Sequence, residues 1–247
     1  LHLWALTYNK NIMAVNVNTV YQRVLAIINK EQRGYLTPQE FNTIANQAQL
    51  DIFEQYFYDL NQFGRIPGNQ TDYADMLEIL EEKISIFEKV QISVSGGTTL
   101  PADLYRLGSI LTNCPSCREA EQLTQKEWLY ILKSPIAQPS NEFPIFIRDN
   151  AGIKVYGDVS ASTGLATQIT SGVYINYVKV PTTVEWAANS STGLYNSATS
   201  VNFELHESEE TELVIKILAL AGIVIKDNSV YAVASGEDTK NVQQEKA

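Results

Sequence analysis

The stretch NKEQRGYLTPQEF, residues 29–41, carries side-chain oxygens at intervals that partly match a calcium-binding loop. An EF-hand loop places ligands at positions 1, 3, 5, 9 and 12 and a glycine at position 6. With Gly34 at position 6, four ligand positions are filled by Asn29, Glu31, Thr37 and Glu40. Position 5 is Arg33, whose guanidinium has no acceptor and would repel the ion. A calcium- or ligand-binding module at this stretch is therefore a minor alternative.

The same stretch also fits a corner between two helices, and this interpretation accounts for every residue. Gly34 suits the left-handed residue that ends a helix. Thr37 is a good N-cap, and Glu40 is placed to close a capping box with it. Leu36 and Phe41 stand where a hydrophobic staple would form. The stretch therefore predicts that one helix ends and a capped second helix begins here.

The two cysteines form the motif Cys114-Pro-Ser-Cys117. Such a pair can hold half of a zinc site or act as a redox centre. A zinc site needs four ligands, yet the histidines are His2 and His206 alone and no second CxxC occurs. A redox pair normally begins a helix after a strand in a βαβ unit, and that context is missing. The sequence predicts two reduced thiols in a turn, without metal.

Other catalytic patterns are weak. His206, in FELHESEE, has no Ser or Cys nucleophile motif to match it. Glycine-rich phosphate loops and the HExxH motif are absent. The acidic pairs Glu81-Glu82 and Glu209-Glu210 are predicted to lie on solvated helix faces. We therefore predict that the protein is not an enzyme and uses no cofactor.

Charge and hydropathy restrict the partners. The chain has 247 residues and a net charge of −10, which permits one large domain or two small ones. An acidic surface of this kind does not attract nucleic acid or anionic membranes. The longest apolar run, 213–225, is interrupted by Lys216 and Gly222, and it falls short of the roughly 20 residues of a membrane span.

Residues 13–90 are predicted to form an antiparallel helical bundle. Apolar residues recur at helical spacing in three stretches. These stretches are separated by the corner at 29–41 and by the Gly- and Pro-containing loop FGRIPGNQTD. Short connections favour antiparallel neighbours. The first twelve residues, LHLWALTYNKNI, are expected to be a non-native or disordered leader, since MAVNVNTVYQRV is typical of a natural start.

Residues 91–206 are predicted to be a β-rich part with one helix. The helix lies in EAEQLTQKEWLYILKSP and ends before Pro135. Residues 187–200 are rich in Ser, Thr, Asn and Gly and are predicted to form an exposed loop. Alternation and turn residues predict strands in VQISVSG, FPIFIRDNAGIKVYGD (a hairpin about DNAG), GVYINYVKVPTTVEW and VNFEL.

Residues 207–247 are predicted to be a C-terminal helix and a partner-docking tail. The acidic residues at 207–210 favour a helix start, and an apolar helix continues to Gly222. The polar segment that follows is predicted to be disordered or to order only against a partner. Its apolar residues, Val230, Tyr231 and Val233, are the candidate docking residues. The predicted fold class is α+β, with an N-terminal bundle, a β-rich middle, and a C-terminal helix plus extended tail.

Connected stretches along nearly all of residues 13–247 carry a resemblance to known proteins. They are NVNTVYQRVLAIINKEQRGYLTPQEFNTIANQAQLDIFEQYF, LPADLYRLGSI, EAEQLTQKEWLYILKSPIAQPS, FPIF with IKVYG, INYVKVPTTVEW, and ETELVIKILALAGIVIKDNSVYAVASGEDTKNVQQEKA. In these stretches the chain resembles virion structural proteins of tailed bacteriophages of Bacteroidetes-type hosts, including the crAss-like group. The resemblance is a pattern of connected stretches rather than one diagnostic motif.

This resemblance implies a head-to-tail connector, also called an adaptor or ring protein, of a short-tailed phage (podovirus). Such proteins form rings, typically of twelve copies, beneath the portal protein. The ring extends the DNA channel and supports the tail. The implied partners are the portal, other tail or ring proteins and further copies of the chain. Packaged DNA would pass without sequence-specific binding, and no membrane is involved.

The implied location is the head–tail junction of the virion, after synthesis in the host cytoplasm. The connector pattern does not require the CPSC pair. A different tail component or another minor virion structural protein remains an alternative. The calcium- or ligand-binding module is the second alternative.

Overall fold

The computed structural model describes residues 14–30, 36–63, 76–114, 116–132, 134, 136–160, 164–189, 192–225 and 228–245. Within these ranges the side chains of Lys30, Phe63, Met76, Ser95, 223–231 and 241–245 are outside the description. The predicted leader, residues 1–12, also lies outside it. The chain divides into two compact units: unit 1 is residues 1–86 and 181–247, and unit 2 is residues 87–180.

The described residues contain six α-helices and two sheets, which confirms the predicted α+β class. The helices are α1 (Val17–Lys30), α2 (Pro38–Phe63), α3 (Met76–Ser85), α4 (Gln125–Ile131), α5 (Glu210–Ile225) and α6 (Asn228–Glu245). The strands are β1 (Glu88–Ser93), β2 (Leu104–Thr112), β3 (Arg118–Glu119), β4 (Glu121–Leu123), β5 (Ile145–Asp149), β6 (Gly152–Val159), β7 (Ala166–Gln168) and β8 (Val173–Lys179).

The helix corner is confirmed at its second helix. α1 ends at Lys30 and α2 begins at Pro38. The Thr37 N–H donates to Glu40 Oε2 at 2.9 Å, and the Glu40 N–H donates to Thr37 Oγ1 at 3.3 Å. This reciprocal pair is a capping box. Leu36 and Phe41, the predicted staple, are 1% and 0% exposed. Gly34, the predicted helix terminator, lies outside the described residues.

Helices from both ends of the chain form unit 1. α5 packs against α1, α2 and α6, and its Leu213 and Ile217 are fully buried. An α-helix that is apolar on most sides must bury most of its surface, so α5 becomes a member of the bundle. The observed division therefore differs from the predicted one: residues 181–206 and 207–247 join the N-terminal helices instead of following a separate middle part.

A row of side-chain amides on α2 holds the extended segment 182–186 in unit 1. Asn46 Oδ1 accepts from the Val184 N–H at 2.7 Å, and its Nδ2 donates to the Val184 carbonyl at 3.0 Å. Asn42 bonds in the same two ways to Trp186. Gln49 donates to the Thr182 carbonyl at 2.9 Å. The helix thus supplies the hydrogen bonds that a neighbouring strand would otherwise give.

The amide row explains a wrong strand prediction. VNFEL forms no strand: of its residues, Val201 makes one isolated bridge, to Glu185. Gln49 instead accepts from the Glu204 N–H at 3.1 Å. Phe203 and Leu205 are fully buried, and this burial produced the alternating pattern in the sequence. Residues 187–200, as far as they are described, are mostly half-buried or exposed and contain one bridge, Ala188 to Tyr195.

Unit 2 consists of two four-stranded sheets. Their orders are β1-β8-β2-β3 and β4-β5-β6-β7. The predicted hairpin is confirmed, since β5 and β6 pair antiparallel around the turn that ends at Gly152. β8 is also confirmed: Val173, Ile175 and Tyr177 are buried and the residues between them are half-buried. β8 ends at Lys179, before Pro181, and lies inside its sheet.

The predicted helix in EAEQLTQKEWLYILKSP is shorter than expected. Glu119 belongs to β3, residues 121–123 form β4, and α4 covers Gln125–Ile131 only. The reason is local, because Thr124 and Glu127 form a capping box that sets the helix start. The residues before Thr124 are then free to pair with neighbouring strands.

Candidate functional site

The candidate docking residues lie on α6, and the prediction of a disordered or extended tail is wrong. α6 is helical over Asn228–Glu245 and packs along α5. Val233 is 70% exposed, whereas Ala234 is 6% exposed. The side chains of Val230 and Tyr231 lie outside the described residues. The structure therefore places one of the three predicted side chains on a solvent-facing part of a helix, and it leaves the other two untested.

Lys216 of α5 is the polar contact that joins three helices. Its Nζ donates to Gln55 Oε1 of α2 at 3.3 Å. It also lies 3.4 Å from Asp238 Oδ1 of α6 and 3.6 Å from Glu212 Oε1 of α5. The Lys216 side chain is 14% exposed, so water screens these contacts less than it screens surface pairs. Lys216, the charged residue within this apolar run, therefore connects α5 to both α2 and α6.

Two further ion pairs fasten the start of α5. Lys83 Nζ of α3 lies 2.6 Å from Glu209 Oε1, and Arg23 of α1 lies 2.7 Å from Glu210 Oε1. Glu209 is buried, so the expectation that the pair Glu209-Glu210 lies on a solvated face is wrong. A buried carboxylate needs a paired cation, and Lys83 supplies it. These acids act in packing.

The cysteines form a disulfide between Cys114 and Cys117, which corrects the prediction of reduced thiols. The pair closes the loop between β2 and β3, so it does not begin a helix. Both residues are half-buried, and the Gln91 amide lies 3.9 Å from Cys117 Sγ. In this oxidised form neither sulfur is a thiolate, the species that attacks substrates or binds metals.

His206 caps the short 3-10 helix Glu207–Glu209 that leads into α5. Its Nδ1 accepts from the Ser208 N–H at 3.2 Å and lies 2.9 Å from Ser208 Oγ. This geometry is that of an N-cap, in which a side chain satisfies a free backbone donor. His206, for which the sequence offers no matching nucleophile motif, therefore has a structural role.

One cluster in unit 2 contains ionisable groups with shifted pKa values. Lys89 Nζ lies 2.7 Å from Asp103 Oδ2, and the Tyr177 hydroxyl donates to Asp103 Oδ1 at 2.9 Å. The hydrogen bond from Lys89 lowers the pKa of Asp103, and the same bond raises the pKa of Lys89. Burial raises the pKa of Tyr177. Each shift moves the pKa further from neutral pH, so each group keeps its usual protonation state there. General acid–base catalysis instead favours a pKa near the working pH.

The calcium alternative receives no support from the described part of stretch 29–41. Hydrogen bonds from Thr37 engage the Glu40 carboxylate and lower its pKa. Across the residues that the structure describes, no three His, Cys, Asp or Glu side chains are grouped so that they could hold a metal ion. Glu31 and Arg33 are outside this part of the chain.

Two clefts lie beside Gly108 in unit 2, with volumes of about 450 and 330 Å³. Their charged side chains are exposed or half-exposed, namely Glu119 and Glu121 in the first cleft and Glu88, Lys89 and Arg106 in the second. The buried Tyr177 also lines the second cleft, and its hydroxyl donates to Asp103. Small-molecule sites usually combine an apolar lining with a few buried, directed polar groups. Neither cleft has this arrangement.

A surface of exposed apolar side chains on and after α4 was not predicted from the sequence. Leu129 and Tyr130 are 59% and 66% exposed, and Ile136 and Phe143 are 94% and 76% exposed. The sequence does contain an indication of it, because large apolar residues there stand among prolines and polar residues without helical or strand periodicity. The sequence analysis used this segment only to place the end of a helix before Pro135.

Comparison with models of known protein families finds no match to this chain, and comparison with curated protein sequences finds none either. None of the helices that the structure describes has both the length and the apolar character needed to cross a membrane. The described features are thus a C-terminal helix with an exposed Val233, an apolar surface on unit 2 and ionisable groups that take part in packing.

Proposed function

We propose that this chain is a virion structural protein, a head-to-tail connector (adaptor or ring) subunit that docks under the portal of a short-tailed phage. In this role it extends the DNA channel and supports the tail, and it has no catalytic activity. Its partners are the portal, neighbouring tail or ring proteins and further copies of itself, at the head–tail junction of the virion. The resemblance in stretches along residues 13–247 is the origin of this proposal.

The observation that carries the proposal is the construction of α6. This helix is mostly polar, exposes Val233 and is fixed to the apolar α5 partly through the Lys216–Asp238 pair. An exposed helix carried on a firmly packed one is a suitable docking element for a second protein. The net charge of −10 also suits a channel wall past which DNA moves, since like charges do not bind.

The test is binding of variants to the portal protein encoded in the same genome. We expect Val233→Asp to weaken the complex about tenfold or more, because a charge replaces an apolar side chain at the interface. The matched control is Leu194→Asp, since Leu194 is also in unit 1 and is 69% exposed. Equal binding by both variants and the unmodified chain would argue against docking through α6.

Deletion of residues 226–247 is the stronger variant and needs a folding control. It would uncover the face of α5 on which α6 packs, so circular dichroism and a thermal melt must show that the rest remains folded. We expect the truncated chain to fold and to fail to join the portal. A chain that binds a more tail-distal ring protein but not the portal would instead indicate another tail component.

A further inference from the structure

Exposed apolar side chains are concentrated in unit 2. In the described residues, fourteen large apolar residues are exposed, and eight of them lie in unit 2, although this unit is well under half of the chain. Four of the eight lie in one short segment and are called here the 129–143 surface: Leu129, Tyr130, Ile136 and Phe143. Exposed apolar patches on a folded protein commonly mark interaction sites.

The 129–143 surface is held in place by two anchors on β6. The Trp128 ring of α4 stacks on Tyr156 with centroids 4.4 Å apart. The Asn141 N–H donates to Asp158 Oδ1 at 2.8 Å, and the Asn141 amide also contacts Asp158 Oδ2. Tyr156 and Asp158 are two residues apart, about 7 Å along a strand. Both anchors therefore place α4 and the 140–143 turn, which carry these exposed residues or flank them in sequence, at the same end of β6.

Gly157, between the two anchors, makes the second one possible. A methyl group at this position would overlap with Asn141 Oδ1 and press on the Ile169 side chain. The absence of a Cβ lets the 140–143 turn approach the strand closely. The turn carries its own hydrogen bonds, between Ser140 and Phe143. Phe143 is consequently presented to solvent by an ordered turn.

The two units differ in formal charge. Unit 2 contains eight Lys and Arg and eight Asp and Glu, so its formal charge is zero. The remaining residues contain ten Lys and Arg and twenty Asp and Glu, so the whole net charge of −10 belongs to unit 1. Two identical chains that met through unit 1 would bring like charges together, which is unfavourable. A contact through unit 2 avoids this repulsion.

The polar residues around the 129–143 surface carry charges of both signs. Lys126 and Glu127 are exposed on α4, and Glu142 is exposed in the turn. A rim with charges of both signs around an apolar centre is typical of protein interfaces. Such a rim is suited to a partner with both signs of charge, and a neutral unit of the same chain meets this requirement.

We propose that the 129–143 surface is the site at which a second copy of this chain docks. The inference rests on the proposed function in one respect, that the protein works as an assembly of its own copies. The occupant follows from the charge distribution, because unit 2 is the part of the chain on which an identical chain of charge −10 meets least repulsion. The apolar side chains form the centre of the contact.

The experiment measures self-association of the full chain by sedimentation velocity over a wide range of concentrations. The test variants are Leu129→Asp and Ile136→Asp, and the matched control is Leu194→Asp in unit 1. Both test residues are exposed, and Ile136 is 94% exposed, so substitution leaves the packed core intact. We expect the unmodified chain to associate and the control variant to associate with the same dissociation constant. We expect the dissociation constant of each test variant to be higher by about tenfold or more.

Three results would overturn the inference. An unmodified chain that remains monomeric at the highest concentration reached has no such contact. Equal association by the test variants and the unmodified chain places the contact elsewhere. If the test variants associate normally but fail to bind the portal, the surface docks the portal instead. In that last case the proposed function stands and the inference alone fails, so the two failures are distinguishable.

Discussion

At the residue scale, three side-chain amides decide how the returning segment attaches to unit 1. Asn42, Asn46 and Gln49 recur at spacings of four and three, which places them on one face of α2. Each bonds to backbone groups of 182–186. Buried backbone groups without partners destabilise a fold. Loss of these amides would leave backbone groups of 182–186 without these bonds, so their role is structural.

Substitution of Asn46 tests this role. Asn46→Ala removes the bonds to both the N–H and the carbonyl of Val184. We expect the free energy of unfolding to fall by about 1–3 kcal/mol, since the partners lose their bonds in a part-buried site. The control is Gln47→Ala, because the Gln47 amide bonds to Asp51 on the exposed face. Urea titration measures both, and equal losses would contradict the assignment.

A second residue-scale prediction concerns pH. The pKa of Asp103 lies below its ordinary value of 3.8 in the folded chain, mainly because Lys89 donates to it. Its contribution to stability is therefore full above the unfolded pKa and is lost as the pH falls through the folded pKa. Asp103→Asn should lower the melting temperature at neutral pH, and the difference from the unmodified chain should disappear in acid.

The size of this effect is limited by water. Lys89 and Asp103 are 40% and 39% exposed, so the loss should be about 1 kcal/mol or less. The control is Asp51→Asn, which replaces an acid bonded to Gln47 on α2. A melting difference for Asp103→Asn that persists unchanged at low pH would show that the charge of Asp103 is not the cause.

Sequence analysis predicted some of these residues and could not predict others. Thr37 and Glu40 were predictable because a capping box is a contact between residues three positions apart. Asn46 and Val184 are 138 positions apart, and a polar residue on a helix face has the same appearance whether it meets water or a distant backbone. The cysteine pair was likewise misjudged, since four residues of sequence do not report the oxidation state.

At the element scale, the main departure from prediction is α6. Its composition is polar, and polar segments often lack enough apolar surface to fold alone. Here α5 supplies the apolar surface and Lys216 supplies the ionic contact, so α6 folds against its neighbour in the same chain. Among the strands of unit 2, β6 and β8 were easier to predict, because buried and more exposed residues alternate along them. β2, β3, β4 and β7 were not predicted as strands.

The dependence of α6 on Lys216 gives an element-scale prediction. Lys216→Ala removes contacts to Gln55, Asp238 and Glu212. We expect the amides of α6 to exchange faster with deuterium, corresponding to a loss of about 1–3 kcal/mol in local stability. Lys240→Ala is the control, because Lys240 pairs within α6 with Glu237 and is 65% exposed. Equal exchange rates in the two variants would contradict the role of Lys216.

At the scale of the whole molecule, the chain divides its properties between two units. Unit 1 contains the N-terminal and C-terminal helices and the full net charge. Unit 2 is formally neutral, and in the described part of the chain it contains eight of the fourteen exposed large apolar side chains. This division was not predictable, since it depends on residues 181–206 returning to the N-terminal helices. It is compatible with a subunit that contacts copies of itself through one unit and another protein through α6.

The most direct test of the central claim is mass photometry of the purified chain mixed with the portal protein from the same genome. The connector assignment predicts a complex whose mass exceeds that of the portal by about a dozen chains, in keeping with the symmetry of a closed ring. A mixture in which the portal retains its own mass, under conditions where both proteins are folded, would contradict the assignment.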